Sequence, residues 1–292
     1  MPFASDIRFS VVIPTYNRLQ LVQRAIQSVI NQTTSPEEII VVDDGSTDKT
    51  SALLKKNYPL IKVITQDNHG VSYSRNRGAE IASGNWLAFL DSDDTWHPEK
   101  LEEQSNFLKE REDLSLCHTD EIWIRNGKEV KQPTYLNKKD SEIFSNSLTR
   151  CIICPSSVVI KKSIFFKLGK FREDLVVCED YDLWLKLLIN YKAGFLPSKL
   201  VTKYGGHIDQ LSTRHWGMDR FRVNSLEQIL ETQSLTDKIR IDILRTIIDK
   251  LDLLSIGFSK RKKFIEAEQF ISKMKKFESQ LNTYSTGGKV RI

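Results

Sequence analysis

The first hundred residues alternate between short apolar runs and amphipathic stretches. Residues 9–13 (FSVVI) are a β-branched run closed by Pro14, which predicts a buried strand. Leu21, Val22, Ala25, Ile26, Val29 and Ile30 then recur at helical spacing between Gln and Arg, predicting an amphipathic helix over 19–32. Residues 38–42 (EIIVV) predict a second strand, and Ser46 or Thr47 a cap for a helix that runs to Lys56. A third strand is expected at 61–65 (IKVIT), a helix over 72–81 with Gly84 at its stop, and a fourth strand at 86–90 (WLAFL). Alternation of this kind predicts an α/β fold, with a mostly parallel central sheet flanked by helices.

The pattern then changes. Residues 114–130 read as strand, turn, strand around Asn126-Gly127, and 157–161 as another strand. A helix with an acidic start is expected over 180–189. The stretch 203–220 is polar, glycine-containing and irregular, the character of an active-site loop. Beyond Phe221 only helical spacing remains. The expected organisation is a catalytic domain over 1–220, with a nucleotide-binding half (1–110) and an acceptor-binding half (111–220), followed by a helical extension over 221–292.

Ligands of such sheets bind beyond the carboxyl ends of the strands. Three polar clusters fall at those ends: Thr15-Tyr16-Asn17-Arg18, Asp43-Asp44-Gly45-Ser46, and Asp91-Ser92-Asp93-Asp94. The turn after the first strand, IPTYNR, has no glycine, and no G-x-x-x-x-G-K-[ST] occurs, so dinucleotide-binding and P-loop chemistry are disfavoured. The Asp91-Ser92-Asp93 pair suits a hard cation, Mg²⁺ or Mn²⁺, which takes carboxylate and phosphate oxygens and neutralises a diphosphate leaving group. The alternative for an isolated D-x-D is a cap for the helix near Pro98. Asp43-Asp44-Gly45-Ser46 reads equally as a ribose or base acceptor and as an Asx turn.

Composition bounds the rest. The chain has 292 residues, 40% hydrophobic and 28% charged, with a formal charge of +5: a globular composition whose mild basicity suits a polyanionic ligand better than nucleic acid. Cys151 and Cys154 form the one C-x-x-C pair, in an apolar context that predicts buried thiols and a reducing compartment. The opening MPFASDIRFS has no basic segment followed by an apolar one, and no apolar run reaches bilayer-spanning length, so a cytoplasmic location is expected.

VVIPTYNR (11–18), VVDDGSTD (41–48), SRNRG (74–78), FLDSDD (89–94) and CEDYDLWLKL (178–187), in this order and spacing, resemble glycosyltransferase family 2 over about residues 1–215. The resemblance implies a GT-A fold and transfer with inversion at the anomeric carbon. It implies that Thr15, Tyr16 and Asp44 line base and ribose, with Arg18 also on the donor and Arg75 near nucleotide or diphosphate. Asp91 would face the ribose side, Asp93 would bind the metal that bridges the diphosphate, and Asp180 would be the general base. A carboxylate opposite the leaving group can take the acceptor proton as the new bond forms, and a helix N-terminus keeps that carboxylate ionised. Glu179 beside it is expected to orient acceptor or loop.

Within YGGHIDQLS, His207 is a candidate third metal ligand or diphosphate contact, and Gln210, Ser212, Arg214 and Trp216 are candidates to close over diphosphate or acceptor. The expected partners are a nucleotide-sugar donor, UDP-sugar favoured, and a saccharide or lipid-linked acceptor. A sugar-1-phosphate nucleotidyltransferase and a catalytically inactive nucleotide-sugar-binding protein are the competing readings. IPTYNR lacks the glycine-rich signature of the first, and every expected carboxylate is present against the second. Residues 259–277 carry Phe264, Ala267, Ile271 and Met274 at helical spacing amid seven Lys and Arg. That pattern serves as a packing face with a solvated side or as peripheral contact with an anionic membrane.

Overall fold

The computed structural model describes residues 6–133, 136, 138–139, 141–206 and 216–286. Strands β1 (Phe9–Thr15), β2 (Glu38–Asp43), β3 (Lys62–Thr65) and β4 (Trp86–Phe89) alternate with helices α1 (Leu19–Ile30), α2 (Thr50–Asn57) and α3 (Val71–Ile81). A two-residue β5 (Thr95–Trp96) and α4 (Lys100–Glu110) follow, then a hairpin of β6 (Leu116–Arg125) and β7 (Lys128–Val130). Asn126 and Gly127, both at positive φ, make its turn, as two-residue hairpins require. The second half continues with α5 (Ile143–Thr149), β8 (Val159–Lys161), α6 (Lys162–Lys167), α7 (Glu179–Asn190) and β9 (Ala193–Gly205). It ends in α8 (Asp219–Thr232), α9 (Asp237–Lys260) and α10 (Phe264–Thr286).

All nine strands join one sheet in the order β3-β2-β1-β4-β8-β6-β9-β5, with β7 against β6. The β3-β2-β1-β4 half is parallel throughout. Strand β8 then pairs antiparallel with both β4 and β6, while β6 and β9 are parallel again. Strand order therefore reverses at β1, and the crevice at that reversal is where open α/β sheets take ligands.

The period-two alternation of β1 sorts its side chains between two cores. Phe9, Val11 and Ile13 face α1 through Val22, Ala25, Ile26 and Val29. Val12 faces the opposite layer with Ile40, Val42, Leu87, Phe89, Phe165, Phe171 and Trp184. A third cluster joins Tyr181 and Leu185 of α7 to Val223, Leu226 and Ile229 of α8 and Ile243, Ile247 and Leu251 of α9. The helices after Asp219 thus share a core with the helix that carries Glu179 and Asp180.

Two expectations change, and a third is decided. Helix α2 starts at Thr50, because Asp48, rather than Ser46 or Thr47, accepts the Thr50 N–H at 3.1 Å. Residues 203–205 continue the long β9 rather than opening a loop, because parallel pairing with β6 runs on to Gly205. The sequence does not announce β9: its apolar residues fall in pairs, Phe195-Leu196 and Leu200-Val201, around Pro197 rather than in alternation. In the basic C-terminal stretch, the apolar face packs inward: Ala267 is buried, and Phe270, Met274 and Phe277 lie on the third cluster.

Helix α3 packs tightly on β1 at Gly78, where a Cβ would sit 2.4 Å from Val12 Cγ1. Helix propensity favours alanine there by about 1 kcal/mol, but overpacking against a fully buried strand costs about 1–3 kcal/mol. Gly78→Ala is therefore expected to lower the denaturant midpoint, a net loss of up to about 2 kcal/mol, and Gly78→Val to lower it further.

Candidate active site

The turns after β1 and β2 are hydrogen-bonded to each other. The Asn17 N–H donates to Ser46 Oγ at 2.8 Å, and Asn17 Oδ1 accepts from the Thr47 N–H at 2.7 Å. Asn17 sits at φ 50°, in the left-handed region that asparagine tolerates. Asp43 makes the Asx turn, accepting from the Ser46 N–H at 3.0 Å, and Gly45 at φ 82° lets that turn lie against the backbone of 66–68. Asp44 instead holds the loop before α3. Its carboxylate accepts from Gln66 Nε2 (2.8 Å) and from the N–H groups of His69 (3.0 Å) and Gly70 (2.8 Å). Asp43 thus takes the turn role, while the Asp44 carboxylate is engaged by the loop before α3.

Between these turns and the 91–94 segment lies a cleft of about 620 Å³, lined by Thr15, Tyr16, Arg18, Asp44, Arg75, Asp91, Asp93, Asp94, Lys203 and Tyr204 among others. Tyr16 is exposed at its mouth. Among the described residues, Thr15 Oγ1 and Asp43 Oδ2 are buried without a hydrogen-bond partner. Such orphans in a folded protein call for a ligand or water to satisfy them.

The SRNRG segment acts as a clamp. Arg75 is 3% exposed, with Nη2 donating to Asp91 Oδ1 and Nη1 to Glu179 Oε1, both at 2.6 Å. Its neighbour Asn76 donates to the Phe171 carbonyl (2.8 Å) and accepts the Phe171 N–H (3.0 Å). One turn of α3 therefore pins the start of α7 and the loop before it against the 91–94 segment. The guanidinium expected on the nucleotide lines the cleft wall and is engaged by two carboxylates.

Charge is crowded at 91–94. Burial pushes Asp91 up, but the Arg75 guanidinium outweighs it and holds the carboxyl low. Burial, then the Asp91 charge, pushes Asp93 up against the pull of Arg18, which lies 3.1 Å from Asp93 Oδ2. Asp94 is pushed up to about 8, chiefly by burial, with its acidic neighbours adding. Ser156, in the short turn after Cys154, supports the segment by donating to Asp94 Oδ2 at 2.7 Å and accepting the Asp91 N–H at 3.1 Å. Arg24 donates to the Asp93 carbonyl at 2.6 Å and lies over the Tyr204 ring.

A divalent cation fits this cleft. Arg75 engages one oxygen of Asp91 and Arg18 one of Asp93, leaving each acid a second oxygen for a hard cation, with diphosphate to complete the shell. Among the described residues no three His, Cys, Asp or Glu side chains converge as a metal set. His207, Gln210, Ser212 and Arg214 lie outside the described residues.

Asp180 opens on a second cleft of about 550 Å³, lined by Glu121, Arg150, Cys151, Lys203, Asp219, Arg222, Asp249, Lys250 and Leu253, among others. Lys203 borders both clefts, 4.0 Å from Glu121, and the neighbouring Cys154, Glu121 and Asp94 push its ammonium upward despite burial. Asp180 and Glu179 form the first turn of α7, after Cys178 at φ 67°, an uncommon backbone for cysteine. The macrodipole there favours ionised acids. Asp180 Oδ1 accepts the Tyr181 N–H at 2.7 Å, and the half-buried Cys151 thiol, which donates to the Ile153 carbonyl at 3.4 Å, is pushed upward by burial and by Asp180. Glu179 faces away, toward Arg75; burial and Asp180 push it up to about 7, with Arg75 opposing. Trp216 lines neither cleft: its indole packs on Phe258 and Arg220.

Sequence reasoning missed Ser156, Arg24 and Lys203. Ser156 was hidden in an apolar C-x-x-C stretch, and Lys203 in a strand with no apolar alternation. It also missed Asp182, fully buried, which pairs with Lys186 at 2.7 Å and accepts from Ser225 at 2.8 Å, binding α7 to α8. The i,i+4 Asp–Lys spacing was the available signal.

A family model described as "Glycosyl transferase family 2" matches residues 10–169. An uncharacterized glycosyltransferase of Rickettsia conorii is 33% identical over 202 residues, 67% of this chain and 32% of that protein. The chain thus spans about a third of that relative's length. The putative teichuronic acid biosynthesis glycosyltransferase TuaG of Bacillus subtilis is 27% identical over 212 residues, covering 71% of this chain and 82% of TuaG. S. aureus TarS 1-349 in complex with UDP-GlcNAc superposes with a TM-score of 0.66 at 19% identity, covering 98% of this chain and 93% of that one. The mannosyltransferase PcManGT from Pyrobaculum calidifontis, in complex with GDP-Man and Mn²⁺, gives 0.58 at 14% identity, covering 98% and 86%.

Removing the clamp leaves Glu179 and Asp91 without their cation. Arg75→Met is expected to destabilise the fold by about 3–5 kcal/mol, the usual cost of orphaning buried charge, read as a lowered denaturant midpoint. Arg75→Met with Glu179→Leu should recover part of that loss.

Proposed function

The chain belongs to glycosyltransferase family 2 and has the GT-A fold, and from that premise we propose that it transfers a sugar from a nucleotide diphosphate sugar to a saccharide or lipid-linked acceptor, with inversion in a single displacement. The observation that carries this reading is the pair of clefts that meet at Lys203, with Asp93 in one and Asp180 in the other.

The donor lies in the first cleft. Thr15 supplies a hydroxyl not otherwise used, and Tyr16 a ring at the mouth, to base and ribose. Asp44 acts mainly by shaping the wall, through the loop it holds. Asp93 and Asp91 would hold a divalent cation, Mn²⁺ or Mg²⁺, which would supply positive charge to neutralise the diphosphate leaving group. Lys203 adds fixed positive charge at the junction, where negative charge grows on the leaving group. The acceptor hydroxyl lies in the second cleft, where Asp180 takes its proton as the oxygen attacks the anomeric carbon. Attack from the Asp180 side and departure on the Asp93 side invert the centre. The UDP-GlcNAc complex of TarS supports a UDP-sugar, the Mn²⁺ of PcManGT supports a metal, and the putative part of TuaG in teichuronic acid biosynthesis supports a polysaccharide product. The charged walls of the second cleft, alternating acids and bases, suit a polar acceptor.

Two measurements test the proposal. Release of nucleoside diphosphate from UDP-sugars should need Mn²⁺ or Mg²⁺ and cease with EDTA; Asp93→Asn should weaken metal-dependent donor binding. Asp180→Asn should lower transfer kcat by about 10²–10⁴ while donor affinity stays near wild type, since the base acts only during transfer. Unchanged turnover in Asp180→Asn sinks the base assignment, and pyrophosphate chemistry in place of diphosphate release sinks the reaction class.

A further inference from the structure

The tip where α9 turns into α10 is built unlike the rest of the surface. Within residues 253–265 four large apolar side chains are solvent-exposed: Leu253 (62%), Ile256 (42%), Phe264 (66%) and Ile265 (78%). Isolated exposed apolar residues are ordinary, but a cluster of them marks an interaction surface. Lys260, Arg261, Lys262 and Lys263 sit among them, all exposed, and the segment contains no acid. Arg261 donates to the Gly257 carbonyl at 2.8 Å, which caps α9 and leaves the net charge intact. The nearest acids along the chain are Asp252 and Glu266, just outside the segment.

We propose that this tip docks on an anionic lipid bilayer, with Phe264 and Ile265 entering the headgroup boundary and Lys260–Lys263 against the lipid phosphates. The side of α10 that carries Ala267 and Met274 has no part in it, because that side is packed on α9 and α8. Apolar insertion combined with a basic cluster is the pairing that holds peripheral proteins on anionic membranes. Charge complementarity selects a bilayer over a second copy of the chain, whose own basic tip would repel this one. One consequence rests on the acceptor reading of the second cleft. Leu253 lines that cleft and Lys260 lies about 10 Å further along α9, so a docked tip brings the cleft beside the headgroups, within reach of a lipid-linked acceptor.

Co-sedimentation of the full chain with vesicles decides the matter. Binding is expected to vesicles of phosphatidylcholine with about 30% phosphatidylglycerol, and to fall sharply between about 0.1 M and 0.5 M NaCl. Each basic residue near an anionic surface is worth roughly five-fold in partitioning, so the triple change K260Q/K262Q/K263Q should weaken binding about 100-fold. F264S/I265S should weaken it by at least ten-fold. Both variants should retain wild-type donor hydrolysis in solution, which separates loss of docking from loss of the enzyme. Equal binding to pure phosphatidylcholine, binding to neither vesicle, or unchanged binding by both variants overturns the proposal. So does a dimer of the wild-type chain that F264S/I265S dissociates without effect on vesicle binding.

Discussion

One buried guanidinium holds the site's two halves in register. Arg75 reaches from α3 to Asp91 on the parallel half of the sheet and to Glu179 at the start of α7. A guanidinium suits this role because it stays charged at any working pH and presents separate donors to two carboxylates at once. The pairing is costly to desolvate, so it adds little to stability by itself; its effect is geometric, since neither acid can stray without leaving a buried charge unmatched. Asp93 lies two residues from one partner and Asp180 one residue from the other. The separation of the proposed metal ligand and the proposed base thus follows from a single side chain.

The same charge balance governs the junction of the clefts. Asp91, Asp93 and Asp94 cannot all be ionised cheaply side by side in a buried turn, and the protein answers with Arg75, Arg18 and Lys203 around them. A divalent cation and a diphosphate entering together add nearly balanced charge to that arrangement. Metal and donor are therefore expected to favour one another, without movement of the sheet.

The C-terminal helices join this scheme through α7. Tyr181 and Leu185 are buried among α8 and α9, and Asp182 ties α7 to Ser225 of α8. Lys250 of α9 donates to the Thr149 carbonyl at 2.7 Å and pairs with Asp219 at 3.0 Å, closing the wall of the second cleft. Residues distant in sequence from the motifs thus shape the space in front of Asp180.

The sequence by itself determined the alternation of β1 to β4 with α1 to α3, the β6–β7 hairpin and the three polar clusters at strand ends. These are local matters: period, β-branching, turn chemistry and the spacing of acids are all properties of a few consecutive residues. It also singled out acids that line the two clefts, because Asp-x-Asp after a strand and Glu-Asp before a helix can be seen without a partner. Only the tertiary structure decided what those residues face. Arg75, on the cleft wall, is engaged by two carboxylates, Asp44 anchors a loop, and Ser156 and Lys203 join the clefts from segments with no local signal. Their roles depend on who lies opposite, from 16 residues away (Arg75 and Asp91) to 104 (Arg75 and Glu179). Such pairing is set by how the sheet order reverses at β1 and how α3 packs at Gly78, which no short stretch of sequence encodes.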